Sequence, residues 1–390
     1  MFPFAVLPPS IVAGKEVIRK VCCASNDTIL LTSRGDVYVS GQNRIGELGV
    51  GDTNPRYDVW ELVMRDAAHI AAVKERLYIL KKSGDVYSVD GSNTWQKITT
   101  WDSAGDLSNG NIRDVISDTE NIFIWKTDNS LWYMGNNSRG QGNTGNTTAT
   151  TSMRLHTSDV ARVSASGDTL VVLKTDGFLW GCGDNTRGIM GTSSNYTALT
   201  RMFGSHADGG TIADFAVTAK GTALLVRYSD GKYRTRGLNI GQLPSGTASP
   251  GSTLTEVPEG HTPGNGSEPL LPHNPCLLTS GTYPSYSANM FYYTGGEIYS
   301  IGSATGYLTG VNKSSGTLTS WTNVDSSSTR IENLKGMAFG MGWVLAYSED
   351  SIIYWGGVGD SSVIPVPGFV QSGRPQYQAM SVKLPVEFKA

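Results

Sequence analysis

Thr28-Ile29-Leu30-Leu31-Thr32, then Ser33-Arg34-Gly35-Asp36, then Val37-Tyr38-Val39-Ser40, then Gly41-Gln42-Asn43-Arg44-Ile45-Gly46-Glu47-Leu48-Gly49-Val50-Gly51 is the stretch that decides the fold. Two runs of aliphatic, β-branched and aromatic residues flank a short polar turn, which reads as a tight hairpin. The segment after the second run is punctuated by glycines, which permit positive φ and close backbone approach. Its Asn43 can hydrogen-bond its own backbone as in an Asx-turn.

The unit recurs along the chain. Ile122-Phe123-Ile124-Trp125 leads through Asp128-Asn129-Ser130 to Leu131-Trp132, then to Gly135-Asn136-Asn137-Ser138-Arg139-Gly140-Gln141-Gly142. Leu170-Val171-Val172-Leu173 leads through Asp176-Gly177 to Leu179-Trp180, then to Gly183-Asp184-Asn185-Thr186-Arg187-Gly188-Ile189-Met190-Gly191. Reduced copies lie around Leu77 to Tyr87 (with Asp90 in place of the first loop glycine), Leu224 to Leu243, Phe291 to Gly310 and Trp343 to Asp360. The aromatic anchors of the seven units are Tyr38, Tyr87, Trp132, Trp180, Tyr233, Tyr299 and Tyr354, at intervals of 49, 45, 48, 53, 66 and 55 residues. Such a period marks propeller blades, and one blade of that size cannot bury its own apolar face, so neighbours must cover it. Radial closure also hides most strand edges. The pattern predicts one all-β domain spanning 1–390, a seven-bladed β-propeller with its repeat units in about 16–360.

The arrangement of aliphatic strand, Asp-Gly-type turn, aliphatic-Tyr/Trp, and Gly-x-Asn-x-x-Gly-x-Leu-Gly-x-Gly resembles the RCC1-type repeat, with Val37 to Gly51 matching at nearly every position. The likeness is clear in units one, three and four, fainter in five, and faintest in two, six and seven. It implies a seven-bladed propeller of four-stranded blades. For the eukaryotic founder of that family it also implies nucleotide exchange on a small GTPase and docking to chromatin. A slightly acidic net charge, the lack of a basic N-terminal tail and the eroded repeats depart from that activity, so exchange is kept only as the alternative reading. The segments 1–15 and 361–390, the latter with strand-like Ser381 to Phe388, are expected to latch the ring. The Pro-, Gly-, Ser- and Thr-rich 243–275 reads as a loop insertion.

Composition narrows the function classes. Glycine is 47 of 390 residues and charged residues are 17%, a turn-rich and charge-poor chain, while Trp 9, Tyr 17 and Phe 10 supply ample core. Lys+Arg 31 against Asp+Glu 34 gives a formal net charge of −3, with no run of either sign, so nucleic acid is not an expected partner. Four cysteines form neither a dense disulfide framework nor a C-x-x-C zinc half-site, which suits a reducing compartment. The N-terminus, Met1 to Pro9, is apolar but holds three prolines and no basic residue before Lys15, unlike a signal peptide, and no stretch has the length of a membrane span.

Catalytic motifs are lacking from the sequence. His69, His156, His206, His261 and His273 show no metal-binding spacing, no Gly-x-Ser-x-Gly elbow or phosphate loop occurs, and no histidine partner for a cysteine is identifiable, so no cofactor, metal or enzymatic activity is expected. Cys22, Cys23 and Cys182 read as small buried hydrophobes. Arg34-Gly35-Asp36 has the form of an adhesion tripeptide but fills the ordinary hairpin turn. The Asn-x-Ser/Thr sites follow from loops rich in those residues. Trp95 and Trp101, outside the repeat positions in a polar loop, are candidate contacts for a carbohydrate or protein, the alternative being that they cap a blade edge. His261 and His273 fall in the inserted loop and are further candidate binding residues. Low charge, abundant Gly, Ser, Thr and Asn, and the lack of an active-site motif together resemble phage virion proteins. The expected function is therefore a structural or adhesive platform on a phage particle, a tail, fibre or capsid-decorating subunit made in the host cytoplasm. Its partners would be other virion proteins and a host-surface glycan or protein, with no insertion into a membrane. The alternative is an intracellular RCC1-like interaction module or exchange factor.

Overall fold

The hairpin at residues 28–40 is the middle of a four-stranded antiparallel meander. In the computed structural model, which describes residues 16–24, 26–117, 120–166, 168–204, 210–217, 223–238, 251–257, 289–294, 297–303, 317–323, 334–340, 343–356, 367 and 380–383, six such sheets and one of three strands follow one another. Blade 1 is β1 (Ile18–Ala24), β2 (Asp27–Thr32), β3 (Val37–Gly41) and β4 (Arg56–Met64). Blade 2 is β5 (Ala67–Val73), β6 (Arg76–Lys81), β7 (Val86–Val89) and β8 (Gln96–Ile98). Blade 3 is β9 (Ile112–Ser117), β10 (Asn121–Lys126), β11 (Leu131–Gly135) and β12 (Thr150–Thr157). Blade 4 is β13 (Val160–Ser166), β14 (Thr169–Lys174), β15 (Leu179–Gly183) and β16 (Tyr196–Phe203), and blade 5 is β17 (Ile212–Val217), β18 (Ala223–Tyr228), β19 (Tyr233–Gly237) and β20 (Gly251–Glu256).

Next comes a three-stranded sheet of β21 (Asn289–Thr294), β22 (Glu297–Ser303) and β23 (Thr317–Asn323). The last blade is β24 (Gly336–Gly340), β25 (Trp343–Tyr347), β26 (Ser351–Gly356) and β27 (Met380–Lys383). The expectation of seven four-stranded blades is therefore met by six. In the three-stranded sheet Asn289 pairs with Gly302, as Asp27 pairs with Gly41, so its strands match the second to fourth strands of the other blades. The preceding 258–288 lie outside the described residues, as do most of the 243–275 insertion and the 1–15 segment.

The core lies between blades rather than within them. Leu31, Val37 and Val39 of blade 1 pack on Ile70, Leu77 and Ile79 of blade 2. Blade 2 meets blade 3 through Tyr78, Leu80, Ile122 and Ile124, and the same alternation continues to blade 5. Period-two burial explains it: each strand turns alternate side chains to opposite neighbours, so both sheet faces must be apolar. Among the sequence anchors Tyr38 and Tyr233 are buried, whereas Tyr87, Trp132, Trp180 and Tyr299 are half-buried, and Trp132 and Trp180 pack against the junction cores.

First strands touch their neighbours around the axis, β24 against β1, β1 against β5, β5 against β9 and β13 against β17. A repeated backbone bond stitches the blades: the hairpin-turn carbonyl of one accepts from the first amide of the next. Ala67 N–H donates to Gly35 O (2.9 Å) and Val160 N–H to Asn129 O (2.9 Å). Closure uses the same device, Ile18 N–H to Glu349 O (2.7 Å), over a shared core of Ile18, Leu30 and Tyr38 with Trp343, Leu345 and Ile352. The late strand β27 pairs with β26 as the outermost strand of the last blade, and the last and first blades meet by packing; most of 361–390 lies outside the described residues.

Two glycines show which positions the fold constrains. Gly183 has φ +100°, and a Cβ there would lie 2.1 Å from Asp168 O and 3.0 Å from the Gln141 side chain. Gly177 has φ +82° with nothing within 4 Å of its Cβ position. Gly177→Ala should cost about 1 kcal/mol from conformation alone and Gly183→Ala about 3 kcal/mol or more, read as the difference in urea midpoints.

Candidate functional site

In a meander blade, the turn between the first two strands and the loop between the last two emerge on one face of the ring, and the hairpin turn on the other. The first of these is called the clamp face here, because one asparagine organises each of its long loops in blades 1, 3 and 4. Asn43 Nδ2 donates to the carbonyls of Asp52 (2.8 Å) and Asn54 (2.9 Å), and its Oδ1 accepts from Leu48 N–H (3.1 Å). Asn137 repeats the pattern with Asn146 O (2.9 Å) and Gly142 N–H (2.6 Å). Asn185 does so with Thr192 O (2.8 Å), Ser194 O (3.1 Å) and Met190 N–H (2.8 Å). The amide spans the loop from residue i+5 to residues i+7 through i+11, a wider grip than the Asx-turn expected from sequence. All three side chains are fully buried.

Clamped loops hold their tips in place. Those tips are Arg44-Ile45, Ser138-Arg139 and Thr186-Arg187, all exposed. Arg44 lies 4.0 Å from Glu75 with both groups in water, a contact of little energetic weight. Arg139 and Arg187 have no ion pair among the described residues, while nearby Lys74 and Arg76 are matched by Glu120 and Asp90.

A second assembly lines the axis. Each of the first five blades carries a register shift in its first strand, between Ile18 and Lys20, Ala67 and His69, Ile112 and Asp114 (opposite Trp125 and Lys126), Val160 and Arg162, and Ile212 and Asp214. The residue after each shift is ionisable, so Lys20, His69, Asp114, Arg162 and Asp214 form a belt at one register level. Lys20 Nζ reaches past blade 2 to Asp114 Oδ1 (2.7 Å) and the Val115 carbonyl (2.5 Å). Arg162 pairs with Asp214 (2.9 Å), whose Oδ1 also accepts from Phe215 N–H (2.7 Å). Bulges re-aim side chains in this way. The sequence carries the signal as a polar residue two positions after an aliphatic one, once per blade, which motif spacing along the chain does not reveal.

The belt is electrostatically matched rather than reactive. Burial, eased by Lys20, pushes the Cys22 thiol up to about 11, and burial pushes Cys23 well above the ordinary thiol range, so both stay protonated at neutral pH. Burial, with Lys20 adding to it, lowers His69 to about 4, which leaves it neutral.

The structure does bring one cysteine to a histidine, a pairing not identifiable from sequence. Cys182 Sγ lies 3.6 Å from His156 Nε2, both buried between blades 3 and 4. Nε2 is also 3.1 Å from Gln141 O, an acceptor, so that nitrogen carries the proton, and the thiol donates to the same carbonyl at 3.4 Å. Burial raises the Cys182 thiol and lowers His156 to about 4. The pair is two neutral groups sharing one acceptor and makes no thiolate. Among the described residues no three His, Cys, Asp or Glu side chains converge as a metal site requires.

The sequence candidates fare differently. Trp101 is 1% exposed and stacked on Tyr78 at 5.5 Å, inside the core between blades 2 and 3, with no face open to a ligand. Trp95 is half-buried against blade 1, and a Cβ at Gly49 would lie 2.5 Å from its Nε1, so it caps the blade edge. His261 and His273 lie outside the described residues. Gly35 of the Arg34-Gly35-Asp36 turn is docked on blade 2, where its carbonyl accepts from Ala67.

No protein-family model matches the chain, and no curated protein matches it. Solved structures do. Prp20p of Saccharomyces cerevisiae, the yeast RCC1, described with its binding properties to Gsp1p and histones, aligns at 16% identity over 83% of this chain and 80% of its own, with a TM-score of 0.61. Human WBSCR16 aligns at 14% identity over 94% of this chain and 82% of its own, with a TM-score of 0.50. The fold is an RCC1-like β-propeller. Identities this low speak of fold alone.

Two outcomes are expected. Asp114→Asn leaves Lys20, whose side chain is 22% exposed, without its counter-charge and should cost about 1–3 kcal/mol, most of it regained in Lys20→Met/Asp114→Leu. Because the pKa values of His69 and His156 are depressed, they contribute stability that is whole above about pH 6.5 and lost as pH falls through about 4. The unfolding free energy from denaturant titrations should decline by a few kcal/mol across that window, on the order of 1.4 kcal/mol for each tenfold change in proton affinity between the folded and unfolded chain; a flat profile would contradict neutral burial.

Proposed function

We propose that this RCC1-like propeller is a non-catalytic platform for protein–protein contact, and that it engages its partner through the clamp face. The observation that carries the reading is the repetition of one buried asparagine clamp in three blades, each fixing an exposed arginine on the same side of the ring. Rigid loops lose little entropy on binding, and arginine suits interfaces because its planar fork bonds carboxylates bidentately. Arg139 and Arg187, on adjacent blades and unmatched by acids among the described residues, favour a partner with an acidic surface. The protonated thiols and neutral histidines support a non-enzymatic role.

Where the platform works has two readings. The low-charge composition rich in Gly, Ser, Thr and Asn favours a phage particle, with another virion protein as partner and a host-surface glycan or protein as a further contact. The likeness to Prp20p favours an intracellular RCC1-like interaction module or exchange factor. Affinity capture with the wild type and with Arg139→Glu/Arg187→Glu, followed by mass spectrometry, tests both. A partner held by the wild type and weakened tenfold or more by the charge reversal supports the clamp face, and wild-type-specific partners that all survive the reversal remove it. Recovery of the protein in purified virions favours the first location, and co-purification of a small GTPase in its absence there favours the second.

A further inference from the structure

Blade 1 buries two carboxylic acids against one loop. Asp27, the first residue of β2, is fully buried, and Glu47 of the clamped loop is 4% exposed. They bind consecutive amides: Asp27 Oδ1 accepts from Asn43 N–H (3.1 Å), Glu47 Oε1 from Arg44 N–H (3.0 Å) and Glu47 Oε2 from Ile45 N–H (2.6 Å). Both oxygens of Glu47 are thus engaged as a carboxylate. Asp27 Oδ2 is buried and meets no N–H or O–H donor. The two carboxyl groups bind consecutive amides of one buried loop, near enough for the Glu47 charge to act on Asp27, and two such groups can share a hydrogen bond only with a proton.

Blade 3 has amides at the two equivalent positions. Asn121 stands where Asp27 does, each opposite the glycine that ends the third strand of its blade (Asp27 with Gly41, Asn121 with Gly135). Gln141 follows its clamp Asn137 by four residues, as Glu47 follows Asn43. Gln141 Oε1 accepts from Arg139 N–H (3.0 Å), the counterpart of the Glu47 contacts. Amides bring their own hydrogens, and Gln141 Nε2 donates to Asn136 O, whereas two acids must take a proton from solvent.

We propose that Asp27 and Glu47 hold a single proton between them at neutral pH, and that this proton fastens the loop of blade 1, making it the pH-sensitive loop of the clamp face. The charged and titratable groups around the pair do not replace the proton. Cys23 on β1 is a protonated thiol, Arg56 on β4 is paired with Asp52 and Glu61, and Arg44 is exposed toward Glu75 of blade 2. Among the described residues neither carboxyl has an ion pair. Burial first, and the Glu47 charge second, raise the Asp27 carboxyl well above its ordinary range. The folded state therefore keeps a proton that the unfolded chain releases near pH 4. The associated stability is whole below that pH and is lost as pH rises through the raised value. Beyond it, two buried charges repel, and the Glu47 bonds that place Arg44 and Ile45 loosen. The device is a property of the loop and stands whether or not the face binds a partner.

Hydrogen exchange of the full chain, read by mass spectrometry between pH 5 and 9 after correction for intrinsic rates, tests it. In the wild type the protection of residues 42–51 should fall about tenfold or more with rising pH, while that of residues 136–146 in blade 3 holds. In Asp27→Asn/Glu47→Gln the fall should vanish. Equal pH responses of the two wild-type loops overturn the proposal even if the variant fails to fold, and so does an undiminished fall in a folded variant.

Discussion

A blade of this ring has two apolar faces and no means of covering either alone. Leu31 and Ile79, or Tyr78 and Ile124, leave water only when two blades meet, so the hydrophobic term belongs to the junctions. Everything else follows from this requirement. The hairpin-turn carbonyl that accepts from the next blade's first amide, Gly35 to Ala67 and Glu349 to Ile18 alike, satisfies backbone groups that the junctions bury. A ring made this way has no special seam. The last and first blades share a core of the same kind as the pairs from blade 1 to blade 5, and the outer strand β27 lies in its own blade.

Junction packing also explains where loops are rigid. The loop of blade 1 rests on blade 2, where Gly51 N–H donates to Asn93 O (2.9 Å), and that of blade 3 rests on blade 4, where Gly145 N–H donates to Thr197 O (2.9 Å). With its base pinned by the neighbour and its span crossed by a buried asparagine, such a loop has little left to order on binding. The exposed arginines at the tips then project from a fixed backbone. The same burial that fixes the loops suppresses chemistry: Cys22, Cys182, His69 and His156 are all held neutral by the packing that places them.

Blades are legible in the sequence because strand, turn and loop are local. Asp-Gly turns, alternating aliphatics and the Gly-x-Asn loop announce themselves within a dozen residues, and Asn43, Asn137 and Asn185 stand out as repeat positions, though their reach across the loop does not. Features that run around the ring are hidden. Lys20 and Asp114 are 94 residues apart and meet only because β1, β5 and β9 are adjacent at the axis. Cys182 and His156 meet because β12 and β15 face each other across a junction. Trp101 reads as a surface contact because its segment is polar, yet the short 3₁₀ turn Asp102–Ala104 after it folds the indole back onto Tyr78. Local polarity reports the backbone's path, not the direction of one large side chain.

The clamped loops of blades 1 and 3 differ in the same hidden way. Repeats that keep a backbone geometry can change the chemistry satisfying it, so long as every buried donor meets an acceptor. Gln141 bonds its loop without a titrating group, since its amide both accepts from Arg139 N–H and donates to Asn136 O. Asp27 with Glu47 satisfies an equivalent loop only while one proton is present. Blade 4 replaces the two positions by Thr169 and Ile189 and leaves the Asn185 clamp to act alone. Three blades thus share one scaffold with three chemistries at these positions, and the acidic version stands beneath Arg44 and Ile45. Because two acids in place of two amides add nothing that the geometry requires, the repetition of the clamps singles out the blade 1 loop as the one whose own bonds depend on a proton held between side chains.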